Sequence, residues 1–201
     1  MTSCDRSVTS CFSLPMNNTT LEKVKRFAAL AHGEQKRKYS GEPYIQHPIR
    51  VMETCKLYTH DHCILASALL HDVLEDTTVT EEVMHDFLSG IMEPEDAAKI
   101  LKLVVELTDV YTRENYPFVN RRARKAKEAD RLAHVSAEAQ TIKYADIIDN
   151  AASIFVHDPG FAAVFIGEGK WLLNKMDKGN AELRNQALLM VNECLELIEE
   201  G

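Results

Sequence analysis

The stretch Ile64-Leu65-Ala66-Ser67-Ala68-Leu69-Leu70-His71-Asp72-Val73-Leu74-Glu75-Asp76-Thr77 decides how the rest of the chain is read. Its first seven residues are apolar or small on every side, the pattern of a helix buried all round rather than of a one-sided surface helix. Four ionisable side chains then arrive with only Val73 and Leu74 between them. On a continuous helix, at roughly 100° per residue, His71, Asp72, Glu75 and Asp76 fall at about 0°, 100°, 40° and 140°, within less than half the circumference. Three carboxylates would then crowd the C-terminal turn, where the helix dipole disfavours each by roughly 0.3–1 kcal/mol. They also repel one another and raise each other's pKa. A bound cation removes both penalties, and His with Asp suits a borderline divalent metal. A solvated polar helix tip is the simpler alternative, but the apolar run keeps this end near the core, where unpaired carboxylates are very costly.

Working outward, the sequence predicts helices throughout. Residues 1–18 are rich in Ser, Thr and Asn without periodicity and read as a disordered tail, leaving 19–200 as one folded unit. Thr19-x-x-Glu22 has the form of a capping box for a first helix with Leu21, Val24, Phe27, Ala28 and Ala31 on its apolar stripe. Lys36-Arg37-Lys38 follows, suited either to a helix C-terminus or to an anion. Gly41 and Pro43 mark a loop, and Pro48 is read as holding His47 extended before a helix from Ile49 to Tyr58. Asp61 is a plausible N-cap for the central helix, which is expected to run unbroken to Asp76. Thr80, Ser136 and the Asp158-Pro159 pair open later helices, Pro94 another, and a final amphipathic helix covers Glu182 to Leu197. Asp146 and Asn150 share a face at i,i+4 within an apolar stretch, so this Asp too needs a partner. Strand alternation and hairpin signals are essentially absent, and the fold class read here is all-α, a single helical bundle.

Composition narrows the functions. A net charge of −8 makes nucleic acid a poor partner, and the basic run Arg121 to Lys127 reads first as a solvated face. No apolar run is long enough for a bilayer, and the N-terminus lacks a secretory pattern, so a cytoplasmic protein is expected. The five cysteines form no C-x-x-C pair; Cys55, Cys63 and Cys194 read as reduced core residues.

His47, His71-Asp72 and Asp146 form an H…HD…D constellation that resembles the HD-domain metal-dependent phosphohydrolases. Arg37-Lys38, Ser40-Gly41-Glu42-Pro43-Tyr44-Ile45-Gln46-His47-Pro48, His71 to Thr77, and Ile142-Lys143-Tyr144-Ala145-Asp146 with Asn150 narrow the likeness. Together, and in this order, they resemble the hydrolase half of the RelA/SpoT family and its stand-alone small alarmone hydrolases. The resemblance spans roughly residues 21–155. It implies an all-α fold holding one Mn²⁺, or another divalent ion, and removal of the 3′-pyrophosphate from guanosine tetra- and pentaphosphate. It implies His47, His71, Asp72 and Asp146 as metal ligands, and Glu75 and Asp76 as the catalytic acidic pair. Arg37, Lys38, Ser40, Lys143, Asn150 and Ser153 become the substrate-binding residues, while His32 takes a structural role. With those roles, Glu75 can accept the proton of an attacking water, and Asp76 can orient it or protonate the leaving group. The chain departs from the pattern at three places: Tyr39 is an extra residue, Ile147 replaces a usual basic residue, and Asp149 adds a negative charge. These departures leave open an HD phosphohydrolase acting on another nucleotide, such as a monophosphatase or a phosphatase of a phosphorylated nicotinamide dinucleotide. A non-catalytic nucleotide-binding module is less consistent with Glu75 and Asp76. The alarmone synthetase half is not expected, no membrane partner is expected, and the oligomeric state is not legible.

Overall fold

A computed structural model describes residues 18–38 and 40–200. The tail expected over residues 1–18 lies outside the described residues apart from Asn18, where the first helix already opens. Ten helices follow in chain order. They are α1 (Asn18–His32), α2 (Gln46–Lys56), α3 (His62–Leu70), α4 (Val73–Asp76), α5 (Glu81–Ser89), α6 (Pro94–Leu107), α7 (Arg121–Leu132), α8 (Ala137–His157), α9 (Pro159–Lys175) and α10 (Ala181–Glu200). Among the described residues the only extended pairing is an isolated antiparallel bridge between Lys36 and Pro43. The fold is all-α.

Two helices organise the bundle. Every residue of α3 from Cys63 to Leu70 is buried, as an all-round apolar helix requires, and it packs against α1, α2, α6 and α8. Leu69 and Leu70 are fully buried, and each contributes about 1.5–3 kcal/mol of transfer free energy. Helix α8 packs against α2, α3, α6, α9 and α10. Its cap is Ser136, whose hydroxyl oxygen accepts from the amide of Ala139 at 3.2 Å. Cys55, Cys63 and Cys194 are buried free thiols.

Gly179, between α9 and α10, passes close against α8. A Cβ there would stand 2.6 Å from the ring of Tyr144 and 2.8 Å from the amide nitrogen of Thr141, so only glycine fits. The neighbouring amides of Lys178 and Asn180 donate to Gln140 Oε1 (2.8 Å) and Thr141 Oγ1 (2.9 Å).

Three local expectations change. Thr19 lies inside the first turn of α1 rather than before it, because the helix begins at Asn18. His47 is helical, not extended: the amides of Gln46 and His47 bond to Pro43 O and Tyr44 O, and this turn feeds straight into α2. Pro48 still sits in the first turn, where its missing N–H leaves nothing unpaired. The central helix is not continuous: α3 ends at Leu70, and Asp72, at φ −96° and ψ −5°, occupies the sparsely used bridge region before α4.

Candidate active site

The site forms where α2, the α3–α4 break and α8 meet. His47 enters from α2, His71 and Asp72 from the break, and Asp146 from α8. Both imidazoles are buried, at 1% and 2% exposure. Ligand atoms of His47, His71 and Asp72 lie within 4.8 Å of one another, the spacing of a group that could hold a metal ion. Asp146 Oδ1 lies beside this group, 3.1 Å from His47 Nε2 and 3.7 Å from His71 Nε2, close enough to be a candidate fourth donor. Asp72 faces both rings, with Oδ2 at 3.4 Å from His47 and Oδ1 at 3.1 Å from His71.

Hydrogen bonds on the far side of each ring orient it. His71 Nδ1 lies 2.8 Å from the carbonyl of Ala68; a carbonyl can only accept, so the proton is on Nδ1. That leaves His71 Nε2 buried with no hydrogen-bond partner, an orphaned lone pair aimed into the acidic cluster. His47 Nδ1 lies 2.7 Å from Asp149 Oδ2 and donates to it. Two imidazole nitrogens and two carboxylates around one point fit a borderline divalent cation.

Electrostatics agree with that fit. Burial would raise Asp146, but Lys143 and the two imidazoles hold it well below the usual carboxylate range. Burial would likewise raise Asp72, yet His71 and His47 keep it ionised. Burial opposes charge on His47, and its bonds to Asp146, Asp149 and Asp72 overcome this, raising it to about 11. The cluster therefore attracts positive charge strongly, as a proton or as a metal.

A cleft with an empty volume of about 960 Å³, its open mouth included, starts at Asp72 and Asp146 and runs between α7, α8 and α9. Glu75 and Asp76 lie on its wall. Crowding by protein atoms and the charge of Asp109 push the Glu75 carboxyl up to about 7, against the pull of Lys143. Glu75 Oε2 accepts from the amide of Asp109 at 3.1 Å. Asp76 is also raised, chiefly by desolvation. The Tyr44 hydroxyl touches both Asp76 Oδ2 (2.5 Å) and Asp72 Oδ2 (2.9 Å). The phenol is the donor in both contacts, so its one proton is shared between the two carboxylates.

Arg37, Lys143 and Asn150 line the same cleft. Arg37 Nη2 donates to Asn150 Oδ1 at 2.7 Å and lies 5.7 Å from the Tyr44 ring centroid. Asn150 Nδ2 in turn donates to Asp146 Oδ1 at 2.6 Å, and Lys143 Nζ lies 2.8 Å from Asp146 Oδ2. Lys38, Ser40 and Ser153 are not among the lining residues. His32 is buried, stacks on Tyr44 with ring centroids 4.5 Å apart and pairs through Nδ1 with Gln35 Oε1.

Sequence reasoning did not select Tyr44, Asp109, Lys125 or the α9 wall. Lys125, a half-exposed member of the basic run, pairs with Asp109 at 3.1 Å on the cleft wall, so that run is not wholly a solvated face. Arg121 instead pairs with Glu168 at 2.8 Å. Tyr44 stands three residues before His47, a spacing that could have marked it. Nothing in the sequence distinguishes Lys125 from its basic neighbours.

The family model described as "HD domain" matches residues 25–154, and the chain belongs to the HD-domain family. Within it, the chain is similar to proteins named guanosine-3′,5′-bis(diphosphate) 3′-pyrophosphohydrolase. The one from Aquifex aeolicus is 32% identical over 146 residues, covering 71% of this chain and 19% of that protein. Those of Mus musculus and Homo sapiens, both named MESH1, are 36% identical over 131 residues, covering 62% of this chain and 63% of theirs. The chain thus spans less than two thirds of the length of these curated relatives. A solved structure titled "A metazoan ortholog of SpoT hydrolyzes ppGpp and plays a role in starvation responses" superposes with a TM-score of 0.73 at 25% identity, covering 90% of this chain and 96% of that one.

Proposed function

We propose that this chain is a divalent-metal-dependent phosphohydrolase that removes the 3′-pyrophosphate from guanosine 3′,5′-bis(diphosphate) and its pentaphosphate, releasing GDP or GTP and pyrophosphate. The observation that carries this reading is the convergence of His47, His71, Asp72 and Asp146 at the floor of a cleft that also holds Glu75 and Asp76. The names of the relatives support the guanosine polyphosphate substrate.

His47, His71, Asp72 and Asp146 would hold the ion, Mn²⁺ in this reading. When bound, a divalent ion lowers the pKa of a coordinated water and polarises a phosphoryl oxygen. Glu75, near neutrality, is suited to take the proton from the attacking water. Asp76, whose carboxyl burial raises from its ordinary value against the pull of the Tyr44 hydrogen bond, is suited to give a proton to the departing oxygen. Arg37 and Lys143 supply positive charge at the cleft floor, and Asn150 links Arg37 to Asp146. Lys38, Ser40 and Ser153 would meet the nucleotide beyond the cleft lining. Among the described residues no helix is long and apolar enough to cross a membrane. In this reading the enzyme is cytoplasmic and acts on a small molecule, and its net charge of −8 disfavours nucleic acid.

One observation favours a second reading, hydrolysis of a phosphomonoester on a less charged nucleotide. Among the described residues, seven carboxylates and three cations line the cleft. Of those cations, Lys125 and Lys143 already face Asp109 and Asp146. A nucleotide panel with Mn²⁺ and an EDTA control, resolved by chromatography, separates the two. Pyrophosphate with GDP or GTP supports the first reading, orthophosphate the second, and no metal-dependent product removes both.

A further inference from the structure

Two helices present matched pairs to each other. On α2, His47 and Arg50 share a face at i,i+3; on α8, Asp146 and Asp149 do the same. The pairs interlock: His47 Nε2 meets Asp146 Oδ1 at 3.1 Å, while His47 Nδ1 meets Asp149 Oδ2 at 2.7 Å. Nδ1 and Nε2 lie on opposite sides of an imidazole, so the ring stands between Asp149 and the ligand cluster. Asp149 is therefore not itself a metal donor. Its carboxylate, 12% exposed, needs a cation partner, and Arg50 supplies one through Nε at 2.5 Å from Oδ1 and Nη2 at 3.1 Å from Oδ2. Arg50 is held in turn by both carboxylate oxygens of Glu42, at 2.7 and 3.1 Å. The backbone carbonyl of Glu42 accepts from the amide of Arg37 at 2.9 Å, joining this chain of contacts to the loop that carries a cleft cation.

We infer that Asp149 is a positioning residue for His47: its carboxylate fixes the imidazole with the proton on Nδ1 and the lone pair of Nε2 turned to a divalent ion, and Arg50 with Glu42 holds the carboxylate in place. This rests on the metal-site reading above. His71 achieves the same orientation with a neutral acceptor, the Ala68 carbonyl. His47 receives an anionic acceptor instead, which makes its Nε2 the more basic of the two ligand nitrogens. The added negative charge at 149 is thus not a disturbance of the site. It belongs to the mounting of a ligand.

The test measures Mn²⁺ binding calorimetrically on the full chain, for the natural protein, Asp149→Ala and Asp146→Asn, with thermal melts of each. We expect one ion per chain in the natural protein and severe loss in Asp146→Asn. Asp149→Ala should weaken affinity about 10- to 100-fold while retaining a folded melt. Equal affinity in Asp149→Ala and the natural protein, whatever the change in melting temperature, overturns the inference and leaves Asp149 a structural ion-pair partner. Failure of the natural protein to bind, or binding indifferent to Asp146→Asn, removes the metal-site reading and the inference with it. Should Asp149→Ala not fold, nitrogen NMR of the His47 ring in the natural protein with Zn²⁺ decides. A protonated Nδ1 and a metal-shifted Nε2 support the assignment, and metal at Nδ1 overturns it.

Discussion

The hydroxyl of Tyr44 stands 2.5 Å from Oδ2 of Asp76 and 2.9 Å from Oδ2 of Asp72, a proposed metal ligand. A phenol whose own ionisation is raised by burial and by both carboxylates remains a donor and joins the proposed acid, Asp76, to the proposed ligand, Asp72.

Tyr44→Phe should therefore lower kcat by about 10- to 100-fold, a fraction of the roughly 10²–10⁴ attributed to general acid–base catalysis, with Mn²⁺ affinity little changed. Steady-state kinetics alongside metal titration checks this. An unchanged kcat would detach Asp76 from its proposed role.

Glu75→Gln should abolish turnover, by about 10²-fold or more, and leave substrate affinity intact. In the natural protein the active form of Glu75 is the ionised one. Its carboxyl is pushed up to about 7, so kcat should rise with pH up to neutrality, and a nearby ion draws that midpoint lower. A kcat that falls with rising pH over that range contradicts Glu75 as the base.

The same shift has a consequence for the metal-free fold. The folded chain holds the Glu75 proton more tightly than an unfolded chain, whose Glu titrates near 4.5. The stability linked to that proton is fully present below about 4.5 and is lost as pH rises through about 7. Chemical denaturation in EDTA should show Glu75→Gln less sensitive to pH across this window than the natural protein.

Adding Mn²⁺ should raise the melting temperature, because an ion bound only by the folded state stabilises it in proportion to the logarithm of its concentration. Asp146→Asn should erase that dependence. A melt indifferent to Mn²⁺ in the natural protein argues against the site.

In the core, Leu70→Ala should cost about 2–5 kcal/mol, because a fully buried Leu immediately before His71 leaves a cavity between α3 and its neighbours. For a chain of this size each kcal/mol corresponds to roughly 2–4 °C of melting temperature.

The helices were legible in the sequence because caps and breakers are local signals: Thr80, Ser136 and Asp158 each accept a hydrogen bond from a first-turn amide. The break after Leu70 was not, since Val73 and Leu74 sustain helical periodicity and the departure at Asp72 coincides with its place between two imidazoles. The sequence predicts an extended His47 because Pro disfavours helix in the residue before it, a preference that the turn from Pro43 overrides here. The ionisable residues that the structure gathers into one cluster, His47, His71, Asp72 and Asp146, stand out in the sequence because they are set in apolar surroundings. Asp149, Asp109 and Lys125 did not, because their roles depend on which helix lies opposite, and spacing within one helix carries no record of that.

Gly179 lies in the connection between α9 and α10, yet it abuts α8 at Thr141 and Tyr144, within five residues of Asp146. A larger residue there forces either the connection or that helix to shift, and a shift of the helix would be carried along it to the Asp146 carboxylate at its middle. A substitution in a connecting segment would in this way register as a fault in ion capture, although it touches neither ion nor nucleotide.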